Sequence, residues 1–319
     1  MYPSQSIQKL FKIDKPIIQG GMVWVSGGKL SAAAANAGCL GLVGAGSMKP
    51  ELLDHHLKKA MSLTEHKHAI GVNIPLLYKY VDEQIETSLR NGVNTFFTSA
   101  GSPKKYTKYL KSQGATVVHV CASPLLAMKC QDAGVDAVVC EGFEAGGHNG
   151  REEITTMCLI PEVKKTISIP IIAAGGIGCG RSMAAAFCLG ADGVQMGTRF
   201  LMTEESSAHD SYKELILNAR AGDTKLMMKK HIPVRLLKNQ FYDDVSKLED
   251  RCASKEELIA LLGKGRAKKG MLEGDIDEGE LEIGQVSSLM KSIPSTKEMI
   301  FTIEKDYREL VKSFISSNV

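Results

Sequence analysis

The architecture predicted by the sequence is an α/β fold, a parallel (β/α)8 TIM barrel with a small, mostly helical subdomain inserted before the C-terminal helix. Eight short apolar runs alternate with helical patterns up to about residue 205. Most of these runs are continuous rather than alternating in polarity, as strands buried on both faces are. The last two end in bare backbone: Pro170-Ile-Ile-Ala-Ala-Gly-Gly-Ile177 and, one helix-length later, Gly193-Val-Gln-Met-Gly-Thr-Arg-Phe200. Glycine at a strand end lets a ligand approach the main chain, and two such ends leading into helix N-termini make an anion site. On a barrel this is the phosphate position after strands seven and eight.

The predicted strands are Pro16–Gly20, Leu40–Ala45, Ala69–Ile74, Thr95–Ala100, Thr116–Cys121, Ala137–Glu141, Ile169–Ala174 and Gly193–Gly197. Helices are expected at Leu30–Ala37, Pro50–Met61, Val81–Asn91, Lys104–Ser112, Pro124–Asp132, Pro161–Thr166 and Arg181–Leu189. A doubly wound open sheet is the alternative, but no Gly-x-Gly-x-x-Gly follows the first strand. After residue 205 the alternation stops, so residues 206–290 read as a helical substrate or lid subdomain beside the barrel of residues 1–205. Residues 291–319 read as the last outer helix: a capping box, Ser295-Thr-Lys-Glu298, follows Pro294. Ile300, Ile303, Tyr307, Leu310, Val311 and Phe314 then keep helical spacing.

Net charge is only +3 over 319 residues, so no global basicity argues for nucleic acid. No apolar run approaches a membrane span, and the N-terminal segment lacks the apolar core of a signal peptide. Eight cysteines are scattered without a Cys-x-x-Cys pair. Cys39, Cys140, Cys158 and Cys188 sit in apolar segments and read as small buried hydrophobes of a reducing compartment. A cytoplasmic location is the expectation, with no nucleic-acid or membrane partner, and a homodimer is the expected assembly. No His and carboxylate set keeps metal-ligand spacing. Between Arg220 and Gly270, 13 Lys or Arg stand against 7 Asp or Glu. This excess is either an ordinary solvated surface or a docking face, with Lys264, Arg266, Lys268 and Lys269 at its centre.

Function on a parallel barrel collects at the C-terminal strand ends. Those ends hold Gln19, Gly20, Gly21, Met22 and Trp24 after strand one, Asn73 after strand three, and Ser99 to Gly101 after strand four. Strand six ends in Glu141-Gly-Phe-Glu-Ala-Gly-Gly-His-Asn-Gly150, with two carboxylates, four glycines and a histidine in ten residues. His148 is the candidate general acid; the plainer reading is a solvated histidine on a surface loop. Asn73 offers donor and acceptor to a heterocycle or caps the next segment. Trp24 reads as core packing. Phosphate and glycines alone fit a sugar-phosphate enzyme equally well.

Taken in order, Gln19-Gly-Gly-Met22, Gly71-Val-Asn73, Glu141 to His148, Ala173-Ala-Gly-Gly-Ile177 and Gln195-Met-Gly-Thr-Arg-Phe200 resemble the FMN-dependent enoyl-[acyl-carrier-protein] reductase II family, a close relative of the nitronate monooxygenases. Pro233-Val-Arg-Leu-Leu-Lys-Asn239, Gly274-Asp-Ile-Asp-Glu-Gly279 and Ile283-Gly-Gln-Val286 resemble the reductase branch. Ser99-Ala-Gly-Ser102 and Glu280-Leu-Glu282 depart from its usual pattern. The resemblance implies non-covalent FMN, with Gly175, Gly176, Gly197 and Thr198 on its phosphate. It further implies flavin contacts from Gly21, Met22, Asn73, Glu141, Gly147, Ala174, Gln195 and Met196, and a catalytic His148. NADH or NADPH would donate hydride, an enoyl-acyl carrier protein would be substrate and partner, and a monovalent cation is a further expected cofactor. Nitronate oxidation with O2 is the alternative activity.

Overall fold

The structure is a computed structural model and describes residues 2–316; residues 317–319 of the predicted last segment lie outside the described residues, as does Met1. Eight parallel strands close a barrel: β1 (Ile17–Gln19), β2 (Leu40–Gly44), β3 (Ile70–Pro75), β4 (Thr95–Ser99), β5 (Thr116–Cys121), β6 (Ala137–Glu141), β8 (Ile171–Ala174) and β9 (Gly193–Met196). The eight predicted strands are these eight, within two residues at each end. The interposed β7 (Gly147–His148) belongs to a second sheet. β9 closes on β1 through Ile17↔Val194, Ile18↔Gln195 and Gln19↔Met196. Apolar side chains fill both faces of the strands, so Val43, Val72, Phe97, Val118, Val139, Ile172 and Val194 are all buried.

Register decides what faces the ligand end. Glu141 pairs with Ala174, Ala174 with Gln195, and Gln195 with Ile18. Paired residues share a face, so Glu141, Ala174 and Gln195 stand side by side at the mouth of the barrel.

Helices α1 (Ser6–Phe11), α2 (Gly28–Asn36), α3 (Pro50–Ser62), α4 (Val81–Arg90), α5 (Lys104–Ser112), α6 (Pro124–Asp132), α7 (Thr156–Lys164) and α8 (Gly180–Cys188) surround the barrel or precede it. The expected helix start at Pro161 is corrected: α7 begins five residues earlier and carries Pro161 inside it. Burial of Leu159, Ile160 and Val163 outweighs the missing N–H, and the carbonyl it would have met belongs to Met157, on the exposed side where water serves. Cys158 and Cys188, expected buried, lie exposed on outward helix faces, whereas Cys39 and Cys140 are buried.

Beyond the short α9 (Thr198–Leu201) the chain forms α10 (Asp210–Leu217), β10 (Thr224–Met227), β11 (Val234–Leu237), α11 (Gln240–Asp250) and α12 (Lys255–Leu262). This region is helical for the most part, as predicted, but it also holds the antiparallel sheet β10-β11-β7, which the sequence reading does not place. Leu236 bridges to Glu282, so residues after 280 extend the sheet beside β7. Met227, Met228, Val234, Leu236, Phe241, Val245 and Leu258 form a core of their own under this sheet.

The final helix, α13 (Thr296–Ser316), opens on the predicted capping box: Ser295 N–H donates to the Glu298 carboxylate at 3.2 Å, and Glu298 N–H donates to Ser295 Oγ at 3.3 Å. Ile300, Ile303 and Tyr307 are buried against the barrel, but Phe314 is 58% exposed. α13 lies against α8, where the rings of Phe187 and Tyr307 meet edge to face at 5.7 Å. Gly180 is what permits the approach, because a Cβ there would collide with the Tyr307 N–H and the Ile303 carbonyl. Among the described residues no helix is long and apolar enough to cross a membrane.

Gly180→Val therefore overpacks the α8–α13 contact. The expected cost is about 1–3 kcal/mol, read as a fall of a few degrees in Tm by thermal unfolding. An unchanged Tm would show that α13 is not seated through this glycine.

Candidate active site

A cavity of about 700 Å³ opens at the C-terminal end of the barrel. That volume is in the range that holds a cofactor together with part of a substrate. Gly21, Met22, Asn73, Glu141, Gly147, His148, Ala174, Gly175, Gly176, Gln195, Gly197 and Thr198 all line it. Met196 does not. It follows Gln195 in the strand, so its side chain turns to the opposite, fully buried face, and only its carbonyl serves the region by accepting Gly20 N–H at 3.0 Å.

The turn after β1 is held by buried polar groups. Ser26 Oγ donates to the Gly20 carbonyl at 2.9 Å and accepts the Met22 N–H at 3.0 Å, while Gln19 Oε1 accepts the Leu42 N–H at 3.0 Å. Asn73 Nδ2 donates to the Gly21 carbonyl at 2.9 Å. A side chain at Gly21 would collide with Asn73, so this close approach is what the glycine supplies. Trp24 is only partly buried and has φ +64°. It packs against the second apolar cluster, around Tyr212 and Ile216, rather than within the barrel.

After β8 the chain turns through Gly175 at φ +87° and Gly176 at φ +73°. Both values lie in the left-handed region that glycine alone enters freely. The Thr156 hydroxyl donates to the Gly175 carbonyl at 2.8 Å and so pins the outer side of this turn. Among the described residues, the main-chain N–H groups of Gly175, Gly176, Gly197 and Thr198 have no protein acceptor. Four unpartnered donors facing a cavity from two adjacent strand ends form a cradle for an oxyanion. Thr198 Oγ1 accepts the Gly284 N–H at 3.1 Å, which leaves its own proton for the same ligand. The residues thus fit a phosphate-bearing cofactor at this end.

The β6 loop is braced on every side. Glu144 is structural: its carboxylate accepts the Thr156 N–H at 2.9 Å at the start of α7. Asn149 N–H donates to the Pro233 carbonyl at 2.9 Å, and Gly147–His148 pairs antiparallel with Val234–Arg235. The segment from Glu280 to Gly284 closes over the loop, where side chains at Gly146 or Gly147 would strike Gly284 or Glu282.

Burial pushes the Glu141 carboxyl up to about 7. Glu280 and Glu282 are raised as well, by burial in both cases and, for Glu280, also by the neighbouring Glu282 carboxylate. His148 is exposed by area because its ring borders the open cavity, yet the surrounding walls strip away much of its bulk water. That desolvation lowers its pKa, and the field of Glu280 acts against it. His119 lies elsewhere, buried, bonded to Thr98 Oγ1 at 2.6 Å and lowered to about 4 by burial.

Sequence reasoning missed the wall contributed by the subdomain: Ile232, Met271, Glu282, Ile283, Gly284 and Val286 line the cavity. The available signals were Glu280-Leu-Glu282 and Ile283-Gly-Gln-Val286, read above only for the resemblance. The basic run is largely neutralised, since Arg266 pairs with Glu278, Lys268 with Glu273 and Lys269 with Asp275. Of the four residues at its centre, Lys264 alone has no carboxylate partner among the described residues.

The family profile described as Nitronate monooxygenase matches residues 4–86 and 66–306, and the chain belongs to that family. The structure of FabK from Thermotoga maritima superposes with a TM-score of 0.92, at 38% identity and 98% coverage of both chains. A "(3aS,4S,5R,7aS)-5-hydroxy-7a-methyl-1-oxo-octahydro-1H-indene-4-carboxyl-CoA dehydrogenase" of Mycobacterium tuberculosis is 30% identical over 94% of this chain and 95% of its own. A "Probable nitronate monooxygenase" of Bacillus subtilis is 31% identical over 92% of this chain and 96% of its own. The chain is therefore an oxidoreductase of this family.

A carboxyl whose folded pKa lies above its unfolded value stabilises the fold fully at low pH, and that contribution is lost as pH rises. For Glu141 the window runs from about 4.5 to about 7. Glu141→Gln in ligand-free protein should flatten the stability profile across that window by about 1–2 kcal/mol. This is below the roughly 3 kcal/mol that ~1.4 kcal/mol per pH unit would give across the whole window in a dry site, because the cavity admits water. Denaturant unfolding at several pH values measures it, and an unaltered slope would place the ordinary carboxylate pKa back on Glu141.

Proposed function

We propose that this protein is an FMN-dependent reductase that uses NADH or NADPH to saturate the trans-2 double bond of enoyl thioesters carried on acyl carrier protein. The observation that carries the reading is the end-to-end likeness to FabK, the enoyl reductase of the resemblance drawn from the motifs, at 38% identity over 98% of both chains. That span takes in the subdomain, where the reductase-like motifs lie, as well as the barrel and its shared flavin motifs.

The bound flavin supplies hydride transfer from the nicotinamide to the β-carbon of the enoyl group. The chain supplies the rest. The free N–H groups at Gly175, Gly176, Gly197 and Thr198 would hold the flavin's phosphate. Gly21 and Met22 offer backbone to the ring, and Asn73 and Glu141 offer polar groups at the mouth of the barrel. Glu141, protonated in part near neutrality, serves as a donor as well as an acceptor. As hydride arrives at the β-carbon, charge develops on the thioester oxygen and a proton must reach the α-carbon. His148 stands on the cavity wall to deliver that proton, and the negative field of Glu280 favours its charged form.

One observation favours a second reading. Desolvation lowers the His148 pKa, so the imidazole is more readily neutral at physiological pH, which is the form a base requires. A neutral His148 fits deprotonation of a nitroalkane, followed by oxidation with O2, the activity in the name of the Bacillus subtilis relative.

Denaturing the purified protein should release a flavin that carries one phosphate; FAD, or no flavin, would contradict the phosphate cradle. His148→Ala should keep the flavin and lose about 10²–10⁴-fold in enoyl turnover. Turnover near that of the unaltered enzyme would remove His148 from the chemistry, and nitroalkane oxidation far above enoyl reduction would select the second reading.

A further inference from the structure

The segment Pro233 to Asn239 carries an arginine that the proposed chemistry does not use. Arg235 is only 1% exposed, and no carboxylate lies within ion-pairing distance of it among the described residues. Burial pulls its pKa down, the more distant carboxylates of Glu144 and Glu153 act against that without touching it, and every hydrogen bond it makes then matters. Its Nη2 and Nε donate to one acceptor, the Phe143 carbonyl, at 2.7 and 3.2 Å. Nη1 reaches Thr224 Oγ1 at 3.4 Å, and the guanidinium lies 4.5 Å from the centre of the Phe143 ring. The main chain of the same residue pairs with Gly147, next to the Val234↔His148 pair.

We propose that Arg235 is a positioning residue for His148: its backbone holds Gly147 and its guanidinium holds Phe143, so one residue ties both ends of the turn that carries the histidine. The turn needs such a tie. Its glycines at 142, 146 and 147 give the unbound chain large conformational freedom, and Gly147 sits at φ +73°. Lysine could replace the charge but not the fork of donors converging on one oxygen. A displacement of about 1 Å at a catalytic group costs on the order of 10²-fold in rate. The proposal rests on the reading of His148 as the proton donor.

The test uses flavin-loaded protein and the variants Arg235→Lys and Arg235→Met, with His148→Gln to assign the histidine signals. Both Arg235 variants should retain flavin and be reduced by nicotinamide at the unaltered rate, while reoxidation by an enoyl thioester falls on the order of 10²-fold, with no rescue by lysine. Ring resonances of His148 in ¹⁵N-histidine-labelled protein should broaden and shift, while those of His56 and His119 stay in place. Loss of flavin together with equal slowing of both half-reactions would make Arg235 a structural residue only and overturn the proposal, as would an unmoved His148 signal. Should neither variant fold, the unaltered protein still decides: the Arg235 Nε–H must exchange slowly with solvent, and rapid exchange contradicts the tie. If His148→Gln itself turns over normally, the proton-donor reading fails, and the resonance shifts report separately on the tie.

Discussion

The pairing of Gly147–His148 with Val234–Arg235 is the contact on which the geometry of this site depends. A barrel strand end is rigid because the ladder beneath it is complete, but after Gly142, whose N–H still donates to the Ala174 carbonyl, the chain leaves that ladder and is rich in glycine. Antiparallel pairing to β11 restores the missing hydrogen bonds at the point where the histidine sits. β11 in turn is anchored by β10 and by an apolar core of its own, so the subdomain acts as a brace for the loop as well as a wall of the cavity. The Gly284 N–H, reaching back to Thr198 Oγ1, joins that wall to the cradle of free N–H groups.

Electrostatics divides the cavity in two. One end offers unpartnered N–H donors from the strand ends of β8 and β9, suited to an anion. Toward the His148 loop the wall carries Glu282, with Glu141 at the mouth of the barrel and Glu280 buried behind, each raised by burial and so partly protonated near neutrality. Carboxyl groups in that state accept or donate hydrogen bonds and repel a fixed anion less than full carboxylates would. His148 sits between opposing influences, desolvation pressing it toward neutrality and Glu280 toward charge. That balance separates the two proposed readings, since proton donation needs one form and proton abstraction the other.

The barrel was legible in the sequence because its strands are buried on both faces and read as unbroken apolar runs; β5 and β6 were placed to the residue. The strand-end residues were legible for the same reason, since topology alone gathers them. Met196 does not line the cavity, because the period of two sends the neighbour of a cavity residue to the other face. Pro161 misled because tertiary burial overrode its local preference. The subdomain wall was hidden for a different reason. β10 and β11 are four residues each and hold Lys225 and Arg235, so they carry no strand-like pattern, and Glu282 approaches Gly147 from far along the chain through pairing that no local signal encodes.

The central claim is that one cavity couples nicotinamide oxidation to enoyl reduction through a bound flavin, with the chain supplying anchorage and the proton. Anaerobic mixing with NADH and with NADPH, followed by crotonyl thioester or by air, observes each half directly in the flavin absorbance. The account predicts bleaching by at least one nicotinamide and fast return of the oxidised spectrum with the crotonyl thioester, ahead of its return with oxygen. A flavin that no nicotinamide reduces, or a reduced flavin that oxygen reoxidises while the thioester leaves it untouched, would contradict it.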